Sequence, residues 1–280
     1  MRKIDKNILH QYDQAQNMEE EDINIMNIMD VIKGAGDIIL KYYKKDLKKT
    51  LKSDSTVVTK ADIEADIYLH SALHKLFPED KILSEESKDI VKDYSGRVWI
   101  VDPLDGTNYF ADGKKGFAVI LGLCENGVPV LGIIYAPLHQ TIYYAQKNKG
   151  AFMENDSGKF KLRVSNNKVL SSARRIIKKS YKSRKLSKVE KIYEAGISLK
   201  IMEIAKGNFD YHIDESHIAA SKWDVCGPQI ILEEAGGKLT GLDGTFIDYK
   251  AKESTLSKSF MASNGILHDA ILRSINKIKK

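Results

Sequence analysis

Residues Trp99-Ile100-Val101-Asp102-Pro103-Leu104-Asp105-Gly106-Thr107-Asn108 place two carboxylates and a hydroxyl on a tight turn directly after a short apolar run. Ile100 and Val101 favour an extended strand, Pro103 is expected to stop it, and Gly106 lets backbone amides come close to a bound anion. Asp102, Asp105 and Thr107 then converge on one spot, a layout suited to a divalent cation and to phosphate chemistry. Gly106 and Thr107 should open a short helix whose free amides attract a phosphate oxygen, with the Thr107 hydroxyl orienting a water. The same residues have a plainer reading, because Asp105 and Thr107 are common helix caps.

Outward from this segment the pattern is strand-rich: Ile82 to Ser84, Val98 to Val101, Phe117 to Leu123, Val130 to Tyr135 and Thr141 to Ala145, with turns at Gly127-Val128-Pro129 and Pro137-Leu138-His139-Gln140. Towards the N-terminus, Ile25, Ile28, Met29, Ile32, Ile39 and Leu40 recur at helical spacing up to about Tyr43. Gly34-Ala35-Gly36 within that helix fits a close helix crossing better than a dinucleotide fingerprint, since no strand precedes it. A second helix is expected from Ala61 to Leu76, ended by Pro78, with His70 and His74 one turn apart as surface or half-buried residues. Beyond Phe152 strands and helices alternate, with helices expected over Ile192 to Ala205, Gln229 to Glu234 and Leu267 to Ile278.

This reading gives an α/β (α+β) chain in three parts. A polar arm covers 1–21, an α+β sub-domain 22–155, and a second α/β sub-domain 156–280, the boundary falling in Glu154-Asn155-Asp156-Ser157-Gly158-Lys159 and the two sub-domains sharing a cleft. At 280 residues, 42% hydrophobic and 29% charged, the chain matches an ordinary globular protein and excludes a disorder-dominated one. Cys124 and Cys226 are the only cysteines and lack CxxC spacing, so neither a disulfide framework nor a cysteine zinc site is indicated, and a cytoplasmic location is expected. The start lacks the apolar core of a secretory signal and no apolar run is long enough to span a bilayer. The net charge of +6 suits an anionic small substrate, a membrane surface or nucleic acid. Its basic run from Arg174 to Lys191 reads as a solvated face, with a nucleic-acid-binding module as the rival from another class. Few aromatic residues interleave with it, which weighs against nucleic acid.

Acids recur in turn-like or strand-end settings: Asp62, Glu85 and Glu86, the Asp102/Asp105 pair, and Asp224 after Trp223. Carboxylates gathered in a low-dielectric cleft repel one another and take up protons unless cations neutralise them. Hard oxygen donors without histidine or cysteine favour Mg²⁺, with Mn²⁺ as a substitute, and two or more ions sharing them suit hydrolysis of a phosphomonoester.

The segment from Trp99 to Thr107, preceded by Ser84-Glu85-Glu86-Ser87 and followed by Lys222-Trp223-Asp224 and Glu234-Ala235-Gly236-Gly237, resembles the inositol monophosphatase superfamily of lithium-sensitive phosphatases. Separated motifs in the right order leave helix capping alone a poor explanation. The resemblance implies a layered αβαβα sandwich of the sugar-phosphatase type with two to three metal ions between its halves. It also implies Glu85, Asp102, the Leu104 carbonyl, Asp105 and Asp224 as metal ligands, with Asp62 and Thr107 polarising the attacking water; Glu85 joins these as catalytic.

Lys222 to Gln229, Gly237 to Thr240 and Ala195-Gly196-Ile197-Ser198-Leu199-Lys200 look closer to the 3'(2'),5'-bisphosphate nucleotidase branch. That likeness implies adenosine 3',5'-bisphosphate as substrate, with inositol 1-phosphate or fructose 1,6-bisphosphate as alternatives. Gly106, Thr107, Gly196, Ile197, Ser198, Lys200, Asp214 and Lys222 become the substrate-binding candidates. Lys178, Lys179, Lys182 and Arg184 are further cations for a second phosphate, and His212 and His217 carry no clear role. Ser84 departs from the usual glycine before the paired glutamates. The expected partner is a small phosphorylated molecule, with no membrane or nucleic acid, and the chain a monomer or homodimer.

Overall fold

The first long helix, α1 (Ile25–Tyr42), starts where the Asn24 side chain accepts the Met26 amide and buries Ile28, Met29, Ile32, Ala35 and Ile39 along one stripe. The structure, a computed structural model, describes residues 23–45, 50–51, 57–87, 91, 93–177, 189–214, 220–257 and 259–278. The 1–21 arm, His217 and Lys178, Lys179, Lys182 and Arg184 lie outside the described residues. After a short ribbon of β1 (Thr50–Leu51) and β2 (Val57–Val58), α2 (Lys60–Leu76) begins at a capping box between Thr59 and Asp62. A side chain at Gly34 would collide with the Tyr68 ring of α2, which accounts for that glycine at the helix crossing, while one at Gly36 would strike the Tyr135 ring of the sheet beneath.

Both helices cover one face of a seven-stranded sheet whose order is β3 (Lys81–Ser84), β4 (Arg97–Asp105), β5 (Ala118–Glu125), β6 (Val128–Ala136), β7 (Thr141–Gln146), β8 (Ala151–Asn155) and β9 (Gly158–Lys161). Only the β3–β4 pair is parallel. Side chains alternate across it: Trp99 and Val101 of β4 join the α1–α2 core, while Val98 and Ile100 face the opposite layer. That layer is α4 (Ile197–Ala205) and α5 (Lys222–Glu234), which follow the short α3 (Thr107–Ala111). A Cβ at Gly122 or Gly132 would meet the α5 backbone at Gly227, so glycine allows the helix to lie tight on the sheet.

A second sheet closes over α4 and α5 in the order β11 (Val189–Ile192), β10 (Arg174–Ile177), β12 (Tyr211–Asp214), β14 (Phe260–Ser263) and β13 (Lys238–Gly241). Its outer face packs against α6 (His268–Ile278) through Tyr211, Met261, Leu267, Ile271 and Ile275. The layers therefore run helix, sheet, helix, sheet, helix, the αβαβα sandwich implied by the resemblance. Among the described residues no helix is long and apolar enough to cross a membrane.

Several local expectations are corrected. Pro103 does not stop β4, which continues to Asp105. Asp102 pairs with Ile120 and Asp105 with Ala118, so β4 carries an extra residue here, and a bulge tolerates proline because the ladder bond is already missing. The polar stretch 154–159 is the tip of the β8–β9 hairpin, with Asp156 and Ser157 as its turn, and the first sheet runs on to Lys161. Val128 and Pro129 belong to β6 rather than to the turn before it.

Ile192, expected to open a helix, instead ends the strand Val189–Ile192, which runs parallel to β10, and α4 starts only at Ile197. Helix α5 starts at Lys222 rather than Gln229, because Ser221 and Asp224 form a capping box upstream of Gly227-Pro228. At the described start of the basic run, two arginines are held in ion pairs rather than left to solvent; residues 178–188 lie outside the described residues. Arg174 binds Asp210 at 3.0 Å, and Arg175, 1% exposed, pairs with Glu190. Cys124 and Cys226 are free thiols brought to 3.5 Å between β5 and α5.

Candidate active site

The bulge ending β4 turns Asp102 and Asp105 towards the N-termini of α4 and α5. Asp102 accepts the Leu104 amide at 2.9 Å, a side-chain turn that fixes the bend. Asp105 is held from across the cleft: the amides of Ile197 (3.0 Å) and Ser198 (2.9 Å) and the Ser198 hydroxyl all donate to its carboxylate. Ile197 and Ser198, expected to touch substrate, thus give these donors to Asp105, and a Cβ at Gly196 would strike that carboxylate. Gly106 has φ +85°, and its missing Cβ would lie 2.6 Å from the Gly116 carbonyl, so both the backbone conformation and the space demand glycine.

Asp224 enters from the third residue of α5, where it accepts the Ser221 amide at 2.5 Å. One oxygen from each of Asp102, Asp105 and Asp224 lies within 4.8 Å of the others. Glu85 follows β3, its amide donating to the Val101 carbonyl at 3.2 Å beside Asp102 on the parallel neighbour. Its charge acts on Asp62, Asp102 and Asp224. Burial, then Glu85, Asp105 and Asp224, push the Asp102 carboxyl well above the usual range. Burial and Asp105 do the same to Asp224. Burial also raises Asp105, against which its Ser198 hydrogen bonds and the Lys200 charge act. Such a set is stable in ionised form only with cations among the oxygens, and all-oxygen donors suit a hard divalent ion. The residues present therefore fit a metal.

Asp62 and Thr107 meet at the rim of this cluster. Buried Asp62 accepts the Thr59 amide at 2.8 Å and the Thr59 hydroxyl at 2.5 Å. The Thr107 hydroxyl lies 3.1 Å from the Asp62 carboxylate and 3.0 Å from the Leu104 carbonyl. Burial raises Asp62 to about 6, a value at which a carboxylate can take a proton near neutrality.

The other candidates separate. Lys200 is buried on α4 with its charge acting on Asp105. Asp214, half-buried at the end of β12, acts on Asp224. Lys222 does not join the cluster through its ammonium, which donates to the Ala251 carbonyl and lies 4.0 Å from the centre of the Tyr94 ring. His212 is buried, with a ring nitrogen 3.1 Å from the Ile176 carbonyl, and His70 lies 3.8 Å from Asp66. The roles of Thr59 and Ser221 were open to sequence reading, since Thr59-x-x-Asp62 and Ser221-x-x-Asp224 are both capping-box spacings. Ser198 had no such local signal as the holder of Asp105.

Known proteins show where this chain belongs. The model of the inositol monophosphatase family matches residues 20–280. A histidinol-phosphatase of Mycobacterium tuberculosis is 31% identical, covering 82% of this chain and 89% of its own length. The 3'(2'),5'-bisphosphate nucleotidase CysQ of Salmonella typhimurium is 30% identical, covering 83% and 96%. The Thermotoga maritima IMPase structure superposes with a TM-score of 0.77 over 91% of this chain and 98% of that one, and at 24% identity it shows the fold. The family match covers nearly the whole chain, and the chain accordingly belongs to the inositol monophosphatase family, a family of metal-dependent phosphomonoester hydrolases.

Proposed function

We propose that the chain removes the 3'-phosphate of adenosine 3',5'-bisphosphate, yielding AMP and inorganic phosphate, in the cytoplasm and with Mg²⁺ as the resident ion. The observation that carries the substrate choice is Lys200, a buried cation on α4 whose charge reaches Asp105. A substrate with a second phosphate needs a fixed positive charge beyond the metals, and a buried ammonium acts at low dielectric. The similarity to the Salmonella nucleotidase supports the same choice.

Glu85, Asp102, Asp105, Asp224 and the Leu104 carbonyl would hold two to three Mg²⁺ ions. When bound, the ions stabilise charge on the phosphoryl oxygens and acidify the attacking water. Thr107 orients that water and Asp62 takes its proton. The Asp62 carboxylate is fixed by Thr59, so little reorientation precedes the transfer. Gly106 lets the phosphate approach the backbone, and Asp214, whose charge acts on Asp224, takes the sugar hydroxyls. A single-phosphate substrate is the second reading, favoured by the equal similarity to a histidinol-phosphatase.

Phosphate release from adenosine 3',5'-bisphosphate, 3'-AMP, inositol 1-phosphate, fructose 1,6-bisphosphate and histidinol phosphate at equal concentrations tests the choice. Adenosine 3',5'-bisphosphate should lead in kcat/KM by about tenfold or more, and Lys200→Met should erase most of its lead over 3'-AMP. Faster turnover of a single-phosphate substrate by the wild type would move the assignment to the second reading.

A further inference from the structure

Helix α2 carries a second inward carboxylate one turn beyond Asp62. Asp66 is 8% exposed, and it accepts a hydrogen bond from the hydroxyl of Ser84, itself 3% exposed. Ser84 is the last residue of β3 and immediately precedes Glu85. We propose that Asp66, acting through Ser84, is a positioning residue that aims Glu85 at the metal cluster. The inference rests on the reading of Glu85 as a metal ligand.

The argument starts from the position of β3 in its sheet. It is a short edge strand, paired only with β4 among the described residues, in the register Leu83–Ile100 and Ser84–Val101. The Glu85 amide adds a bond to the Val101 carbonyl, so the ladder restrains the strand end from one side. An edge strand held on one side is free to twist about its axis, and consecutive side chains point to opposite faces, so a twist at Ser84 re-aims Glu85. The Ser84–Asp66 bond supplies a restraint outside the ladder by tying the strand end to α2.

The same helix fixes Asp62 beside Thr107, so one rigid element sets both the proton acceptor and the strand end that carries Glu85. A carboxylate acceptor makes the bond charge-assisted and stronger than a neutral one. His70, with Nε2 3.8 Å from the same Asp66 oxygen, backs the carboxylate one turn further along.

The test uses the full chain freed of metal and titrated with Mn²⁺, free ion being read by electron paramagnetic resonance, with Glu85→Gln as reference. Ser84→Ala and Asp66→Ala should each weaken Mn²⁺ binding about tenfold, Asp66→Asn, which keeps an acceptor oxygen, should stay within about threefold, and Glu85→Gln should lose more than any of them. Ser84→Ala should melt somewhat lower without metal, because the buried Asp66 carboxylate loses a donor, yet stay fully folded at the titration temperature, and its kcat at saturating Mg²⁺ should recover, which separates aim from unfolding. If Asp66→Ala fails to fold, Ser84→Ala still removes the same bond. Wild-type Mn²⁺ affinity in Ser84→Ala beside a weakened Glu85→Gln would reduce the bond to a strut and overturn the proposal while leaving the ligand reading intact. Wild-type affinity in Glu85→Gln would remove the ligand reading and the proposal together.

Discussion

Asp105→Asn and Asp224→Asn should each lower kcat about a thousandfold, a loss of about 4 kcal/mol of transition-state stabilisation, while the protein stays folded. Each substitution keeps the shape and one acceptor oxygen. At position 105 that oxygen can still take a donor from Ile197 or Ser198, and at 224 it can still cap α5 through Ser221. What disappears is one negative charge from a set whose members already push one another's pKa upward. Removing a charge relieves that repulsion, so metal-free Asp224→Asn should melt at or above the wild-type temperature, whereas in Asp105→Asn the new NH2 group faces the Ile197 or Ser198 donors and offsets part of the gain. Added Mg²⁺, which raises the wild-type melting temperature by binding the folded state, should raise theirs much less. Steady-state kinetics and thermal melts with and without Mg²⁺ check both halves. Wild-type kcat in either variant would mean that these oxygens do not carry the metal.

Asp62→Asn should cost activity on a comparable scale, about a hundredfold to ten thousandfold, through loss of a proton acceptor. The neighbouring Thr107 keeps its hydroxyl and the metal oxygens are untouched, so Mn²⁺ affinity should change little. The pH profile distinguishes this from a structural effect. Burial raises Asp62 to about 6, so without cations it is protonated and inactive as a base below that value and ionised above it. A bound cation favours the ionised form and moves the value down. Wild-type kcat should therefore rise with pH along an acidic limb at or below about 6, and Asp62→Asn should lack that limb. An unchanged limb in the variant would assign the titration, and the base, to another group.

What the sequence revealed of this arrangement depended on how local each cause is. Helices α1 and α2 are legible because their apolar spacing and their caps at Asn24 and Thr59 lie within a few residues. The acids are legible because they stand beside proline, glycine and helix starts in recognisable order. The end of β4 is not legible locally, because proline usually breaks a ladder and only pairing with β5 reveals the bulge that accommodates it. Likewise Gly227-Pro228 looks like a stop, whereas the capping box at Ser221 starts α5 upstream of both. The grip of Ser198 on Asp105 and of Asp66 on Ser84 arises from segments distant in the chain. Neither residue has a neighbour in sequence that announces the contact. Lys222 shows the converse: it adjoins the Trp223-Asp224 motif, yet its ammonium turns to Ala251 and Tyr94.

The proposed function rests on the joint binding of divalent cations by Glu85 after β3, the two aspartates of β4 and Asp224 of α5. Crystals of the full chain soaked in Mn²⁺ and measured at the manganese absorption edge test it most directly. The account predicts anomalous peaks bounded by the carboxylates of Asp102, Asp105 and Asp224, at least one of them also in contact with Glu85. A fully occupied Mn²⁺ elsewhere on the protein, with none among these oxygens, would contradict it.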